Sequence, residues 1–153
     1  PVVFNATDAS GTPIYHTNVL MCIGTDFSLI GLSAIADTRR RAEIAGRLEE
    51  TGRAIVDLTQ AQIGEFAGNA IELHGRQGRV LALSVRALRA LRPDQRASLE
   101  GHVTLLPLDV PTIELAGGSV RCMLAGIHLA PRSAIAADSH TTSFGADVAL
   151  ATA

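Results

Sequence analysis

A thiol and an imidazole occupy matching places in this sequence, each leading into an apolar run. Cys122 follows Gly117-Gly118-Ser119-Val120-Arg121 and opens Met123-Leu124-Ala125-Gly126-Ile127. His16 follows Tyr15 and precedes Thr17-Asn18, after which comes Val19-Leu20-Met21-Cys22-Ile23. Each pattern predicts a residue at the head of a strand. Glycines ahead of a cysteine let backbone N–H groups come close to a ligand, because no Cβ stands in the way. A thiol held at such an entrance is both fixed and reachable, as a nucleophile must be. One such cysteine with a distant histidine is the pattern of a nucleophile and its base.

The remaining titratable residues read differently. Cys22 lies inside an apolar run and reads as a small core residue. His74, His102, His128 and His140 read as surface or turn residues, and no pair of them has metal-ligand spacing, so no metal site is expected. Glu65, Asp57 and Glu114 read as solvated caps before pocket acids. Asp109, ahead of Val110-Pro111, reads as a turn residue. Asn69 follows Gly68 and is either a pocket residue or a turn residue tolerating left-handed geometry.

The elements that must bring Cys122 and His16 together show in a repeat of about fifty residues. Asn18 and Asn69 are 51 positions apart, as are Ser33 and Ser84, and Asn69 and Cys122 are 53 apart. Residues 16–24 lead through Thr25-Asp26 into 27–33, and residues 68–75 lead through Arg76-Gln77-Gly78 into 79–84. Each reads as a β-hairpin. Asp37 is placed to cap a helix over 38–50, with Ala42, Ala45 and Leu48 as its inner stripe and Gly52 as its stop. Pro93 starts a second helix, with Ala97 and Leu99 inward. Short strands follow at 54–58 and 104–108, then brief helical or loop segments at 60–66 and 111–115. A further strand is expected at Val2-Val3-Phe4.

The unit is ββαβ, present about two and a half times, and the fold class is α/β. His16/Asn18, Asn69 and Cys122 hold equivalent positions in successive units. Around a pseudo-symmetry axis they would line one pocket.

Composition supplies a core and excludes several partners. The 153 residues suit one domain, and 47% are apolar and only 3% aromatic, so Leu, Ile, Val and Ala must fill the interior. The net charge of −2 is no footprint for nucleic acid. Arg39-Arg40-Arg41, followed by Glu43, Glu49 and Glu50, reads as a solvated helix face. No apolar run approaches the roughly 20 residues that span a bilayer. Two cysteines in apolar surroundings make a reducing, cytoplasmic setting the default. A chain starting at Pro1 reads as a piece of a longer polypeptide. Residues 132–153, small and polar without a period, read as a flexible tail.

YHTNVLMCIG (15–24), FAGNAIEL (66–73) and GGSVRCMLA (117–125), in this order and spacing, resemble the guanidine-modifying, or pentein, superfamily. That group holds arginine deiminases, dimethylarginine dimethylaminohydrolases and amidinotransferases. The likeness is greatest to the branch called citrulline-utilisation hydrolases, often labelled amidinotransferase-like, and it covers about residues 2–131. It implies a five-bladed α/β propeller of ββαβ units, of which this chain would hold two and a half to three. Residues 1–131 would form that partial domain. It implies Cys122 as nucleophile and His16 as general acid/base. The position two after the histidine, commonly an acid that grips a guanidinium, is Asn18 here, and the other acidic ligands would belong to blades outside this chain.

The chemistry implied needs no cofactor. It is hydrolysis of a C–N bond in a guanidino or ureido amino acid, through a covalent Cys122 adduct. Asn18, Asn69 and Gly118 would be substrate-binding residues, and the backbone N–H groups of residues 118–121 would face developing charge. An amide at Asn18 offers both a donor and an acceptor, which suits a neutral ureido group. Arg121 is a partner for a substrate carboxylate, although it would point away from Cys122 within one strand. Two other readings stay open. One is an amidinotransferase, which passes the carbon fragment to an amine. The other is a non-catalytic association module, whose exposed strand edges would pair into a homo-oligomer.

Overall fold

The computed structural model describes residues 1–76 and 78–126. Ile127, the last residue of the strand expected from Cys122, the histidines at 128 and 140, the boundary at 131 and the tail at 132–153 lie outside the described residues.

Two ββαβ units follow one another. The first holds β1 (Met21–Ile23), β2 (Phe27–Ile30), α2 (Thr38–Glu50) and β3 (Ala54–Asp57), with the short α1 (Thr17–Leu20) ahead of it and α3 (Gln60–Gly64) behind. The second holds β4 (Ile71–Gly75), β5 (Gly78–Ser84), α4 (Val85–Ala90), α5 (Pro93–Glu100), β6 (Thr104–Leu108) and α6 (Pro111–Glu114). Each unit makes a three-stranded sheet, β1-β2-β3 and β4-β5-β6. In each, the hairpin is antiparallel and the strand after the helix returns parallel. Both hairpins and both crossovers therefore lie where the repeat predicts them.

The two sheets share one core. Phe27 and Leu29 from the first meet Leu81 and Leu83 from the second, with Leu20, Val56, Leu58, Ile63 and Leu99 around them. β2 is buried at every position, as a central strand covered on both faces must be. A smaller cluster of Ile30, Ile35 and Ile44 seats α2 on its own sheet. Pro107 sits in β6, an edge strand, where its missing N–H costs no ladder bond.

α2 begins as expected. The Asp37 carboxylate accepts the Arg40 N–H at 3.0 Å, and Gly52 ends the segment with φ +79°. Its inner stripe differs from the expected one. Ala42 is exposed and Ile44 is the buried residue, because Ile44 and Leu48 stand one turn apart on the face toward Ile30. The arginines are not a purely solvated face either. Arg40 donates to the Val3 carbonyl and Arg41 to the Ile35 carbonyl, which ties the entry segment to the helix. Val2-Val3-Phe4 forms no strand, and an isolated bridge between Thr7 and Pro13 is the one pairing there.

α5 departs in the same way. Leu99 is buried but Ala97 is exposed, and Gln95 takes the inner place. Residues two apart point to opposite sides of a helix, whereas 95 and 99 share a face. Gln95 meets Gln62 of α3 side chain to side chain, with 2.6 Å from Gln62 Nε2 to Gln95 Oε1. Gln95 also donates to the Asp57 carbonyl and accepts the Arg92 N–H. Among the described residues no helix is long and apolar enough to cross a membrane.

Candidate functional site

The segment that carries Cys122 is not a strand. Val120–Met123 form a turn of 3-10 helix, and the Cys122 N–H bonds to the Ser119 carbonyl at 3.0 Å. Three local features coil it. Gly117 takes φ +88°, a conformation glycine adopts freely. Its N–H bonds back to the Glu114 carbonyl. The buried Ser119 hydroxyl donates to the buried Glu114 carboxylate at 2.8 Å. Glu114 is therefore no solvated cap. It anchors the loop that delivers the thiol.

His16 is likewise not at a strand head. It is the N-cap of α1, and its Nδ1 accepts the Asn18 N–H at 3.1 Å. An imidazole that accepts at Nδ1 carries its proton on Nε2. His16 is exposed. One turn of helix then separates it from β1.

Asn69 joins two of the expected positions. Its side chain is 2% exposed. Nδ2 lies 3.0 Å from the Asn18 carbonyl oxygen and 3.1 Å from Cys122 Sγ. Its own carbonyl accepts the Arg121 N–H at 3.3 Å. Asn18, Asn69 and Cys122, equivalent places in the repeat, thus meet in one cluster. The imidazole of His16 is not a member of that hydrogen-bonded cluster. It reaches it only through the backbone of Asn18.

The turn reading of Asn69 is displaced by three residues. Phe66, not Asn69, holds the left-handed φ of +62°. The Arg86 guanidinium lies 5.2 Å over its ring and pairs with Glu65, whose carboxyl this holds below its ordinary range. Gly68 is needed for close approach, since a Cβ there would lie 2.6 Å from the Val19 carbonyl oxygen. This contact lets Asn69 reach Asn18.

Gly118 packs directly on the nucleophile candidate. A Cβ at that position would lie 3.0 Å from Cys122 Cβ and 3.3 Å from Sγ. The backbone donors in the loop are partly committed, because the Arg121 and Cys122 N–H groups already bond within the fold. Neither faces an incoming charge.

The two cysteines differ in kind. Cys122 is exposed. Cys22 is buried, and burial pushes its thiol up to about 11. It is the core residue its apolar run predicts.

Two cavities adjoin the cluster. One of about 240 Å³ is lined by Asn18, Cys22, Ala70, Glu72 and Arg121. The other, about 550 Å³, is lined by Tyr15, Val19, Phe66, Asn69 and Gly117 among others. A larger cleft of about 610 Å³, between Arg86, Arg89, Asp109 and Glu114, lies away from the thiol and holds no part of the cluster. Glu72 falls within FAGNAIEL (66–73), where the sequence singles out Asn69 and leaves the acid unassigned. Its carboxylate accepts both the N–H and the hydroxyl of Thr25, tying the second sheet to the first hairpin. Of the other acids, Asp57 accepts the Leu32 N–H. His74 is exposed on β4, whereas His102 is half-buried against the Phe27 ring. Among the described residues no group of three His, Cys, Asp or Glu could hold a metal ion.

Comparison with known proteins follows the same line. The sequence profile of a family described as "N,N dimethylarginine dimethylhydrolase, eukaryotic" matches residues 1–129. No curated protein matches the chain. Among solved structures, the apo form of ArgZ, an arginine dihydrolase from the ornithine-ammonia cycle in Cyanobacteria, superposes with a TM-score of 0.56 at 18% identity. The match covers 77% of this chain and 17% of ArgZ. The N-terminal domain of ArgZ bound to product matches with a TM-score of 0.53 at 19% identity, over 71% of this chain and 36% of that one. A variant of that domain covalently bound to a reaction intermediate matches equally. This chain therefore spans well under half the length of these relatives, and the likeness is one of fold.

Proposed function

This chain belongs to the N,N dimethylarginine dimethylhydrolase family, within the pentein superfamily, and on that premise we propose that it carries the nucleophile of a C–N hydrolase acting on a guanidino or ureido amino acid. One observation carries the reading: Asn18, Asn69 and an exposed Cys122 meet through hydrogen bonds of 3.0 and 3.1 Å. The two ββαβ units are then blades of a propeller, with this cluster near its axis.

The reaction follows from the groups present. The Cys122 thiolate adds to the central carbon of the substrate, forming a C–S bond. The tetrahedral adduct collapses, the C–N bond breaks, and the leaving nitrogen takes a proton from the imidazolium of His16. Neutral His16 then draws a proton from water, whose oxygen attacks the same carbon. The C–S bond breaks, the thiolate returns, and the product carries the new oxygen.

His16 carries protons on both ring nitrogens in its acid form. It then cannot accept the Asn18 N–H, so it gives up the cap of α1 each time it takes up a proton.

Asn18 favours a ureido over a guanidino substrate. Glu72, the one carboxylate lining the cavity that Asn18 shares, is already engaged by Thr25. A guanidinium would find no free anion there, whereas an amide can both give to and accept from a ureido group.

The test is peptide mapping after reaction with a chloroacetamidine-type probe. Labelling selective for Cys122 and slowed in His16→Ala is expected. Equal slow labelling of Cys22 and Cys122 would overturn the reading. Release of ammonia or amine from citrulline or arginine without an added acceptor amine distinguishes a hydrolase from an amidinotransferase.

A further inference from the structure

The Asn69 carboxamide touches the sulfur of Cys122, and the reaction above gives it no task. Its orientation is decided by its other neighbour. The Asn18 carbonyl has lone pairs and no hydrogen, so the atom 3.0 Å from it must be the amide nitrogen. Turning the amide over would set two oxygens against each other. The same nitrogen lies 3.1 Å from Cys122 Sγ. An amide carries two N–H bonds, and here one goes to Asn18 and the other to sulfur.

The opposite end of the group supports this assignment. Asn69 Oδ1 is buried and has no hydrogen-bond partner among the described residues. Leaving a buried acceptor unpaired costs free energy, so the side chain is held in place by its two donations. The backbone holds the same pair, because the Asn69 carbonyl accepts the Arg121 N–H next to Cys122. The backbone link keeps the two residues side by side, so only rotation of the Cys122 side chain parts sulfur from amide. Gly118, with no Cβ, leaves room for the sulfur to sit there.

A donor aimed at sulfur favours the charged acceptor over the neutral thiol. We propose that Asn69 is a positioning residue for Cys122, fixing its rotamer and holding the sulfur as a hydrogen-bond acceptor ready for attack. This rests on Cys122 as the nucleophile, but it is measurable without turnover.

The experiment follows alkylation of the intact chain by iodoacetamide as a function of pH, with Cys122 and Cys22 quantified separately by mass spectrometry. Asn69→Ala should move the Cys122 profile to higher pH and slow its alkylation near neutrality about threefold or more. Buried Cys22 should stay as slow as before, which reports an intact fold. If Asn69→Ala exposes Cys22, Asn69→Ser, with one O–H left for two partners, carries the same comparison. Superimposable Cys122 profiles in folded variant and parent would overturn the proposal. A shifted profile in a chain that hydrolyses no guanidino or ureido compound would sink the hydrolase reading and leave this one standing. Turnover with an unmoved profile would do the reverse.

Discussion

The Ser119 hydroxyl lies 2.8 Å from the Glu114 carboxylate, and both residues are buried. A carboxylate only accepts, so the serine donates. The bond closes the Leu115–Gly118 loop back onto the end of α6 and so determines where Cys122 emerges. Ser119→Ala leaves the buried carboxylate short of a donor, which costs about 1–3 kcal/mol. Urea denaturation should show that loss, and alkylation of Cys122 should lose its preference over Cys22. Glu114→Gln keeps an acceptor for the hydroxyl and should lose less.

Cys22 makes stability depend on alkaline pH. Burial raises its thiol from 9.0 in an open chain to about 11. A group raised on folding contributes fully below its unfolded value and loses that contribution as pH climbs through the folded one. The window therefore runs from about pH 9 to about pH 11, and the contribution at stake is of the order of 2–3 kcal/mol. The urea midpoint of the parent should fall across this window. In Cys22→Ala that portion of the fall should vanish, although the variant starts lower at neutral pH because a core atom is missing. An unchanged slope in Cys22→Ala would show that the thiol titrates alike in the folded and unfolded chain, so that burial does not raise it.

Spacing made the two hairpins and their crossovers legible, because equivalent residues recur at 51 positions and strands bear the same period in each unit. The meeting of Asn18, Asn69 and Cys122 was legible for the same reason. Two kinds of detail were not. Helix stripes chosen by apolarity alone put Ala42 and Ala97 inward, where Ile44 and the polar Gln95 lie instead. A buried glutamine can be recognised only from its partners, which come from another unit. The strand expected at Cys122 failed because Met123-Leu124-Ala125 are apolar yet exposed. The tie from Ser119 to Glu114, five residues back, coils that segment, and no local pattern announces it. Glu72 was silent for a similar reason, since its partner Thr25 is 47 residues away.

The Gln62–Gln95 pair is the polar joint between the units. Gln62 Oε1 accepts the Thr59 N–H and so caps α3, while its Nε2 donates to the Ala90 carbonyl and to Gln95. Gln95 caps α5 through Arg92 and reaches the end of β3 at Asp57. Gln95→Leu fills a similar volume but leaves the Asp57 carbonyl, the Arg92 N–H and the Gln62 amide each short of a partner. The expected loss is about 2–4 kcal/mol, read as a lower urea midpoint with the slope unchanged. The double variant with Gln62→Leu should cost less than the sum of the two single changes, because each single change already removes the bond between the two amides. Strict additivity would mean the two amides act independently.

Gly68 and Gly118 are both close-contact glycines, but different atoms stand in the way. A Cβ on Gly68 meets backbone, 2.6 Å from the Val19 oxygen and 2.8 Å from the Leu20 carbon. Backbone of a capped helix turn packed in the core cannot yield cheaply, so Gly68→Ala should cost about 3 kcal/mol. It should also pull Asn69 off Asn18, so that Cys122 alkylation shifts as in Asn69→Ala. A Cβ on Gly118 meets only the side chain of an exposed cysteine, at 3.0 and 3.3 Å. Rotation moves the sulfur but not Cβ, so the 3.0 Å contact also needs a small shift of this exposed loop, and Gly118→Ala should cost about 1 kcal/mol, less than Gly68→Ala. The rotation carries the sulfur off the Asn69 donor, and Cys122 should react more slowly near neutral pH. Thermal unfolding of both variants beside their alkylation rates separates the two cases. Equal destabilisation by the two alanines would mean that the Gly118 contact is rigid, and that the thiol is clamped by its loop rather than by Asn69.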